Sequence, residues 1–313
     1  MRRLPPLNSL KSFEAVARLG SVVRAAEELC VSHGAVSKQV LNLERWLGAE
    51  LFDRRGRRLE PTAAGKVLAD DLRDAFDRMA GAVERARPEA GRKLVISAPP
   101  TLTLHWLVPR LTGFLRQYPD IQIQLNNRRD RAHALPGGVD AAIRRGRSGE
   151  PQLIETAFMK EAVTPLRAGP ARRRPASINA LARETWLTAD MRPDDWQRWL
   201  AAAGAPHLQP QASLGFDHTY LAVEAALDGL GVVMGPRYLM QEELEAGRLV
   251  ALFPEVLAPA DDYFFVHDKQ RSADPAIATL RAWLQAEGQA HEARIRAPSG
   301  NVSSCGRISG TAH

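Results

Sequence analysis

Short polar and basic side chains cluster between residues 32 and 42, and their chemistry suits contact with a polyanion. His33, Ser37 and Lys38 carry an imidazole, a hydroxyl and an ammonium group, which can meet base edges or phosphate oxygens. An apolar series at helical spacing lies among them: Val36, Val40, Leu43 and Leu47. The spacing predicts a helix with one buried face and one polar face. Taken alone, such a polar face is more often simply solvated, and the neighbouring segments reverse that preference.

A basic turn follows this helix. Two short apolar pieces, Leu51-Phe52 and Leu59, flank a run of four arginines and one glycine. The run consists of Arg54, Arg55, Gly56, Arg57 and Arg58. Such a pattern predicts a β-hairpin whose tip can grip phosphates or enter a narrow minor groove, so that binding weakens steeply with salt. A solvated basic turn is the alternative, and it is less favoured because a polar helix immediately precedes the hairpin.

Two earlier helices are needed to hold the polar helix in place. Apolar residues at helical spacing predict a first helix, which Gly20 terminates. Ser21 and Ser32 are candidate N-caps of the second and third helices. Three helices and a hairpin predict a winged helix-turn-helix over residues 1–66, with the third helix in the major groove of double-stranded DNA. The predicted DNA contacts are Arg24, Ser32, His33, Gly34, Ser37, Lys38, Asn42, Arg54, Arg55, Arg57 and Arg58.

A long helix is predicted after the hairpin, from a cap at Thr62 to about Arg87. Its apolar stripe consists of Leu68, Leu72, Phe76, Met79 and Val83. Charged side chains occupy the opposite face, so packing against an equivalent helix would bury one seam and leave the charges in water. Periodicity alone is equally compatible with self-association and with packing onto the chain's own core. Breakers beyond the helix predict a hinge, and this linker with its hinge spans residues 62–92.

Strands and helices alternate over residues 93–288, which predicts two α/β lobes with largely parallel sheets. Lobe I is predicted at about residues 93–160 and 268–288, and lobe II at about residues 161–267. Ligands of such sheets usually lie where strands end and helices begin. Thr101 is the first candidate for a ligand contact, because it follows the first strand and opens a helix whose free N–H groups suit a carboxylate or carbonyl.

Composition limits the class of protein. The 313 residues, 45% hydrophobic and 25% charged, indicate a chain of two domains without a membrane-spanning run or an export signal. Two cysteines and eight scattered histidines offer no disulfide framework and no metal site, and no nucleophile motif, phosphate loop or cofactor motif occurs. We therefore predict a cytoplasmic protein that has no cofactor and is not an enzyme. Residues 289–313 contain too little apolar material to fold and are predicted to be a disordered tail.

Five segments in the first part of the chain resemble the LysR-type family of transcriptional regulators. They are AAEEL at 25–29, SHGAVSKQV at 32–40, LE at 43–44, LFDR at 51–54 and TAAG at 62–65. Many members carry Gln and then Ser or Pro where this chain has His33-Gly34, so a different operator preference is expected. The resemblance implies that the linker helix forms a dimer, through Leu68, Leu72, Phe76, Met79 and Val83.

The second part of the chain resembles one branch of that family, the glycine-cleavage, tryptophan-synthase and β-lactamase regulators. The matching segments are WLVPRL at 106–111, YP at 118–119, VDAAIR at 139–144, DW at 195–196, WLAAAG at 199–204 and AALDGLGV at 225–232. The resemblance implies a periplasmic-binding-protein-like fold with a small-molecule effector between the lobes. The implied effector contacts are Thr101, Thr103, Asp217, His218, Thr219 and Tyr263. Thr101 and Thr219 as plain N-caps, and Tyr263 as a core residue, remain alternatives.

The sequence therefore predicts an α/β chain with an N-terminal winged helix-turn-helix, a long linker helix and a two-lobed effector domain. Its predicted function is that of a transcription regulator, an activator of a β-lactamase or amino-acid gene. The predicted partners are promoter DNA, an effector, a second copy in a homodimer or homotetramer, and RNA polymerase. The alternatives are a solute-binding protein without DNA function and an enzyme. If residues 1–66 failed to bind DNA, the solute-binding protein would be favoured.

Overall fold

The computed structural model describes residues 4–53, 59–85, 92–126, 135–169 and 175–296. The chain divides into two units. One contains Met1–Gly91 with Leu135–Val139, and the other contains Arg92–Ala134 with Asp140–His313.

The first unit contains four helices and a two-stranded sheet. The helices are α1 (Leu7–Leu19), α2 (Val22–Glu28), α3 (His33–Leu47) and α4 (Ala63–Arg85), and the strands are β1 (Phe52–Asp53) and β2 (Glu60–Pro61). The strands pair antiparallel, as in a hairpin. The predicted winged helix-turn-helix is therefore confirmed as the architecture of this unit.

Local signals explain where the helices of this unit begin and end. Gly20 ends α1 with a φ of 63°, a left-handed conformation that glycine adopts without strain. The Ser21 and Ser32 hydroxyls accept hydrogen bonds from the first turns of α2 and α3, and Thr62 Oγ1 accepts one from the Gly65 N–H at 3.1 Å. All three predicted caps are confirmed.

One apolar core joins the helices of the first unit. Phe13 of α1, Val36 and Leu43 of α3, and Phe52 of β1 are at most 1% exposed. Phe13 and Phe52 lie 5.3 Å apart between ring centroids, so the hairpin packs onto the same core as the helices. Helix α3 is thus anchored through Val36, Val40 and Leu43 and cannot rotate without exposing them. Leu47, which was expected on the same buried face, is 39% exposed.

The second unit contains two mixed sheets. The first has the order β4-β3-β5-β13-β6, formed by β3 (Arg92–Ser97), β4 (Ile121–Asn126), β5 (Ala141–Arg145), β6 (Leu153–Met159) and β13 (Tyr263–Asp268). The second has the order β11-β7-β10-β8-β9 with β12 beside β7, formed by β7 (Ala162–Ala168), β8 (Thr185–Ala189), β9 (Ala212–Phe216), β10 (Val232–Pro236), β11 (Leu249–Ala251) and β12 (Ala258–Pro259). Each sheet is the centre of one lobe.

Six α-helices flank these sheets in the part of the unit that the structure describes. They are α5 (Pro100–Leu102), α6 (Val108–Gln117), α7 (Asp195–Ala202), α8 (Thr219–Leu227), α9 (Gln241–Glu245) and α10 (Pro275–Arg296). A π-helical turn, Thr103–Leu107, joins α5 to α6 without a break. Trp196 and Trp199 of α7 are 6% and 0% exposed and their indole N–H groups donate to backbone carbonyls, which confirms that they are packing residues.

Three expectations for the second unit need correction. The sheets are mixed rather than largely parallel, because β13 pairs antiparallel with β5 and β6, and β7 pairs antiparallel with β10 and β11. Residues 263–267 were expected in lobe II, but as part of β13 they belong to the sheet of lobe I. Residues 289–296, which were expected in a disordered tail, form the end of α10, and residues 297–313 lie outside the described part of the chain.

Candidate DNA-binding face and effector site

The polar face of α3 is open to solvent in the described structure. His33, Gly34, Ser37 and Lys38 are exposed, and Asn42, one turn further on, is half-buried. Ser32 caps the helix by accepting from the Ala35 N–H at 3.3 Å. The N-terminal half of α3 therefore presents an imidazole, a hydroxyl and an ammonium group as one exposed polar row, with the Asn42 amide beyond it. The row lies at the end of the helix where free N–H groups and the helix dipole attract anions.

The orientation of this row is fixed from inside the unit. Ser9 of α1 donates from its hydroxyl to Gln39 Oε1 at 2.6 Å, and Asn42 Oδ1 accepts from Arg45 at 2.8 Å. Arg24 is exposed on α2. The Ser9–Gln39 bond joins α3 to α1, and both α1 and α2 contact α3, so two neighbouring helices support the backbone that carries the exposed side chains.

The hairpin is attached to α3 through Glu44, a residue that the sequence did not single out. Its buried carboxylate accepts the backbone N–H groups of Leu51 at 2.9 Å and Phe52 at 3.4 Å. On the other side, a Cβ at Gly65 would lie 2.2 Å from the Leu51 carbonyl oxygen, so only glycine allows α4 to begin this close. The tip of the hairpin, with Arg54, Arg55, Arg57 and Arg58, lies outside the described residues.

Helix α4 divides its apolar stripe between two environments. Leu68, Leu72 and Phe76 are half-buried and pack against the core of the first unit. Met79 is 46% exposed and Val83 is 60% exposed. Packing onto the unit's own core therefore holds for Leu68, Leu72 and Phe76. Self-association through Met79 and Val83 stays a prediction.

The segments predicted to bind an effector come together in the second unit. Thr101 lies in α5 and Thr219 begins α8, and these two helices contact each other. Both threonines are buried, at 7% and 3% exposure. Neither is an N-cap, because Pro99 and His218 precede the two helices and neither helix has a side-chain cap. The structure therefore removes the alternative that the threonines are plain caps.

The flanking candidates differ in their surroundings. Thr103 is half-buried in the π-helical turn, Asp217 is exposed, and His218 is half-buried with its ring stacked on Tyr220 at 5.6 Å. These three residues are therefore neighbours of the buried threonines in the chain, but they are more exposed to solvent than the threonines are.

Tyr263 begins β13 and is 1% exposed, as the core interpretation required, yet its hydroxyl has a specific polar partner. Arg192 donates to Tyr263 Oη at 2.7 Å, and Asp195 holds Arg192 at 3.2 Å. Burial raises the pKa of the Tyr263 hydroxyl well above its ordinary value, although nearby arginines oppose the change. The side chain is thus a neutral phenol whose oxygen meets a guanidinium.

Arg145 and Glu161 complete a buried charged cluster around Tyr263. Arg145 pairs with Asp261 at 3.3 Å, and burial lowers the pKa of its guanidinium. Glu161 Oε1 accepts the N–H groups of Ala162 at 2.9 Å and Tyr238 at 3.0 Å. Burial raises the pKa of the Glu161 carboxyl to about 7.

The sequence analysis gave Arg145, Arg192, Asp195 and Glu161 no role in the site, because they come from three separate segments that only the fold brings together. One signal was available: Arg192 and Asp195 stand three residues apart, directly before Trp196. A charged pair at helical spacing beside a packing tryptophan indicates a buried ion pair.

Two observations limit the chemistry of the described residues. No group of three or more His, Cys, Asp or Glu in the described part of the chain could hold a metal ion. Among the described helices, none has both the length and the apolar character needed to cross a membrane.

Comparison with known families covers almost all of the described chain. Residues 7–66 match the model of the bacterial regulatory helix-turn-helix protein of the lysR family, and residues 87–289 match the LysR substrate binding domain. The chain belongs to the LysR family of transcriptional regulators. It is a LysR-type, DNA-binding regulator with an effector-binding domain, as the sequence predicted.

Named relatives fall in the predicted branch. The chain is 35% identical over 301 residues to the glycine cleavage system transcriptional activator of Escherichia coli (strain K12), covering 94% of this chain and 98% of the relative. It is 37% identical over 290 residues to the transcriptional regulator TrpI of Pseudomonas aeruginosa (91% and 98% covered), and 36% identical over 293 residues to the transcriptional activator AmpR of the same species (93% and 98% covered).

Solved structures share the fold. The effector domain of AmpR of Pseudomonas aeruginosa matches with a TM-score of 0.55 and 25% identity, covering 66% of this chain and 100% of that one. CrgA of Neisseria meningitidis matches with a TM-score of 0.53 and 23% identity, covering 90% and 98%. ArgP of Mycobacterium tuberculosis matches with a TM-score of 0.61 and 20% identity, covering 91% and 98%.

Proposed function

We propose that this regulator contacts the bases of promoter DNA with the N-terminal half of α3. We propose further that the way in which it binds that DNA changes when a small molecule binds the second unit. The observation that carries the proposal is the exposed polar row His33, Ser37 and Lys38 beside the β1–β2 hairpin. Helices that present such a row enter the major groove in other helix-turn-helix proteins. The protein acts without a cofactor and without catalysing a reaction.

The proposed DNA contacts comprise the exposed row, its flanks and the hairpin tip. They are Arg24, Ser32, His33, Gly34, Ser37, Lys38, Asn42, Arg54, Arg55, Arg57 and Arg58. The α3 residues contact base edges and nearby phosphates, while the arginines neutralise backbone phosphates. A contact set of this kind predicts an affinity that falls steeply with salt.

The effector binds at the starts of α5 and α8, which contact each other, and at Tyr263, which lies at the end of the first sheet where β3 leads into α5. The hydroxyls of Thr101, Thr219 and Tyr263 supply its polar contacts, with Thr103, Asp217 and His218 around them. Because the first three are at most 7% exposed, the lobes have to part before the effector can reach them. The effector then favours whichever arrangement of the lobes gives it the better contacts, and only such a difference in affinity can change the DNA-bound state.

Two copies associate through the exposed end of the α4 stripe, at Met79 and Val83, into a homodimer or homotetramer. The assembly works in the cytoplasm and activates transcription by contact with RNA polymerase. The names of the relatives point to amino-acid metabolism as the regulated process, since one relative activates the glycine cleavage system. A β-lactamase gene is the other target that the branch suggests.

Footprinting tests the effector half of the proposal. Promoter fragments that co-purify with the full chain are footprinted with and without each of a panel of amino acids and short peptides. We expect at least one compound to alter the footprint, and Thr101→Val with Thr219→Val to remove the change because two hydroxyl donors are lost. Thr112→Val, on an exposed position of α6, is the matched control. A compound that alters the footprint equally in the double variant contradicts the proposed site.

A further inference from the structure

Arg145 and Tyr263 share one face of the first sheet. Arg145 ends β5, Tyr263 begins β13, and the two residues lie directly opposite each other in the antiparallel register. Side chains that are directly opposite in an antiparallel pair project to the same face and lie within reach of each other. The Arg145 guanidinium therefore lies beside the tyrosine at the edge of the proposed effector site.

Part of the Arg145 guanidinium has no acceptor. Its Nη2 pairs with Asp261 at 3.3 Å and with Asp195 at 4.0 Å, and its Nη1 reaches the Met191 carbonyl at 3.4 Å. Its Nε atom is buried, and among the described residues no atom accepts a hydrogen bond from it. A buried N–H of a charged group that lacks an acceptor is costly, so the position favours a ligand atom that can accept.

The Tyr263 hydroxyl has a hydrogen that it can donate to a ligand. Arg192 Nη2 donates to Tyr263 Oη at 2.7 Å, and a guanidinium has no acceptor atom with which to receive a hydrogen bond in return. The phenolic hydrogen must therefore point away from Arg192. Because burial raises the pKa of the phenol, that hydrogen is retained throughout the neutral pH range.

We propose that the effector carries a carboxylate or an equivalent anionic oxygen group, which accepts hydrogen bonds from Arg145 Nε and from the Tyr263 hydroxyl. This inference rests on the proposed effector site, and it adds Arg145 to that site. The Thr101 and Thr219 hydroxyls supply two further donors to the same ligand. The site is therefore rich in hydrogen-bond donors. One of them, the Arg145 guanidinium, is positively charged, so it favours an anionic group over a neutral amide or alcohol.

Matched pairs of probes test this class of ligand. Glycine with glycinamide, L-tryptophan with L-tryptophanamide, acetate with acetamide and benzoate with benzamide are titrated by calorimetry into the full chain. The measured quantity is the selectivity, the dissociation constant of the amide divided by that of the carboxylate. We expect at least one carboxylate to bind about tenfold more tightly than its amide, the size of one charge-assisted hydrogen bond.

Three variants decide what causes the selectivity. Arg145→Gln and Tyr263→Phe each remove one donor and should bring the selectivity close to one. Arg147→Gln is the control. Arg147 lies two residues after Arg145, but its side chain is 68% exposed and pairs with Glu155. A selectivity change, unlike a loss of stability, does not follow from weaker packing.

The outcomes separate this inference from the proposed function. Selectivity that persists in Arg145→Gln, tighter binding of the amides, or a panel in which no carboxylate binds the wild-type chain would each overturn the anionic effector. Binding that is unchanged in the Thr101→Val, Thr219→Val double variant would instead overturn the proposed site. Selectivity lost in Arg145→Gln and kept in Arg147→Gln supports both.

Discussion

Glu161 is the residue at which the chain passes from the first sheet to the second. It follows β6 by two residues and precedes β7 directly, and its carboxyl is fully buried beside Arg192. Its Oε1 atom has two N–H partners, while for Oε2 the described residues provide none. A carboxyl in this position is easier to keep protonated than ionised, which is why its pKa rises to about 7.

The raised pKa predicts a loss of stability between about pH 4.5 and pH 7. Below pH 4.5 the carboxyl is protonated in both the folded and the unfolded chain. Between pH 4.5 and pH 7 only the folded chain keeps the proton, so the free energy of unfolding falls as pH rises, by about 3 kcal/mol in all. Above pH 7 the loss is complete and constant.

Glu161→Gln should remove this component, because the amide does not titrate. Urea unfolding of the second unit is followed at pH 5, 6, 7 and 8 by tryptophan fluorescence, since five of the six tryptophans lie in that unit. The glutamine variant should show the flatter pH profile, and Glu255→Gln, an exposed position, should retain the wild-type profile. Identical profiles for wild type and Glu161→Gln would disprove the assignment.

Sequence could predict single residues of the effector site but not their partners. Thr101 was identifiable because it follows a strand and opens a helix, which is a local pattern. The position of Arg145 beside Tyr263 depends on strand register, and the contact of Arg192 with Tyr263 depends on a loop that folds against it. Spacing along the chain encodes neither contact. Long-range charged contacts of this kind follow from the fold and cannot be predicted before it.

At the scale of elements, helix α3 and the hairpin form one support for the proposed DNA contacts. Glu44 joins the end of α3 to β1, and the tight approach at Gly65 joins β1 to the start of α4. The hairpin is therefore held from both sides. Moving it relative to α3 requires breaking the buried hydrogen bonds of Glu44, so we expect α3 and the hairpin to bind DNA as one element.

Helix α4 carries a prediction about self-association. Val83→Glu places a charge on the exposed end of the apolar stripe, so we expect the full chain to dissociate to monomers at concentrations where the wild type is a dimer or tetramer. Burial of an unpaired carboxylate in the seam costs several kcal/mol, enough to lower the association constant by more than a hundredfold. Sedimentation velocity over a range of concentrations measures the change.

Val67→Glu provides the control for that experiment. Val67 is 64% exposed on the same helix, and its 16-residue separation from Val83 places it on a different side of α4, about 160° around the axis. It should leave the association state unchanged. If Val83→Glu associates as strongly as the wild type, the dimer does not use this end of α4.

Elements of the first unit were more predictable than those of the second. Caps, glycine stops and a 3.6-residue period marked α1 to α4, because each signal acts within a few residues. The order and direction of strands in the second unit depend on β13 returning to the first sheet from a position late in the chain. The alternation of strands and helices predicts the class of fold. It does not predict that a strand late in the chain, β13, pairs with strands of the first sheet.

At the scale of the whole molecule, each unit contains the parts that its role requires. The first unit holds α3, packed on the unit's core with an open polar row, and the second holds a buried polar cluster at the point where its two lobes join. A buried cluster that spans the lobes can respond to a ligand by changing their arrangement. The family assignment, which both units support independently, makes regulation of DNA binding the common task.

The most direct test of this account is the affinity of Lys38→Ala for its promoter. Binding of the full chain to a labelled promoter duplex is measured by fluorescence anisotropy from 50 to 200 mM salt, with Lys269→Ala, an exposed lysine of the second unit, as control. We predict an affinity about tenfold lower for Lys38→Ala and a salt slope reduced by about one unit, as expected when one lysine no longer displaces counterions. Wild-type affinity and slope in Lys38→Ala would contradict the placement of α3 in the groove.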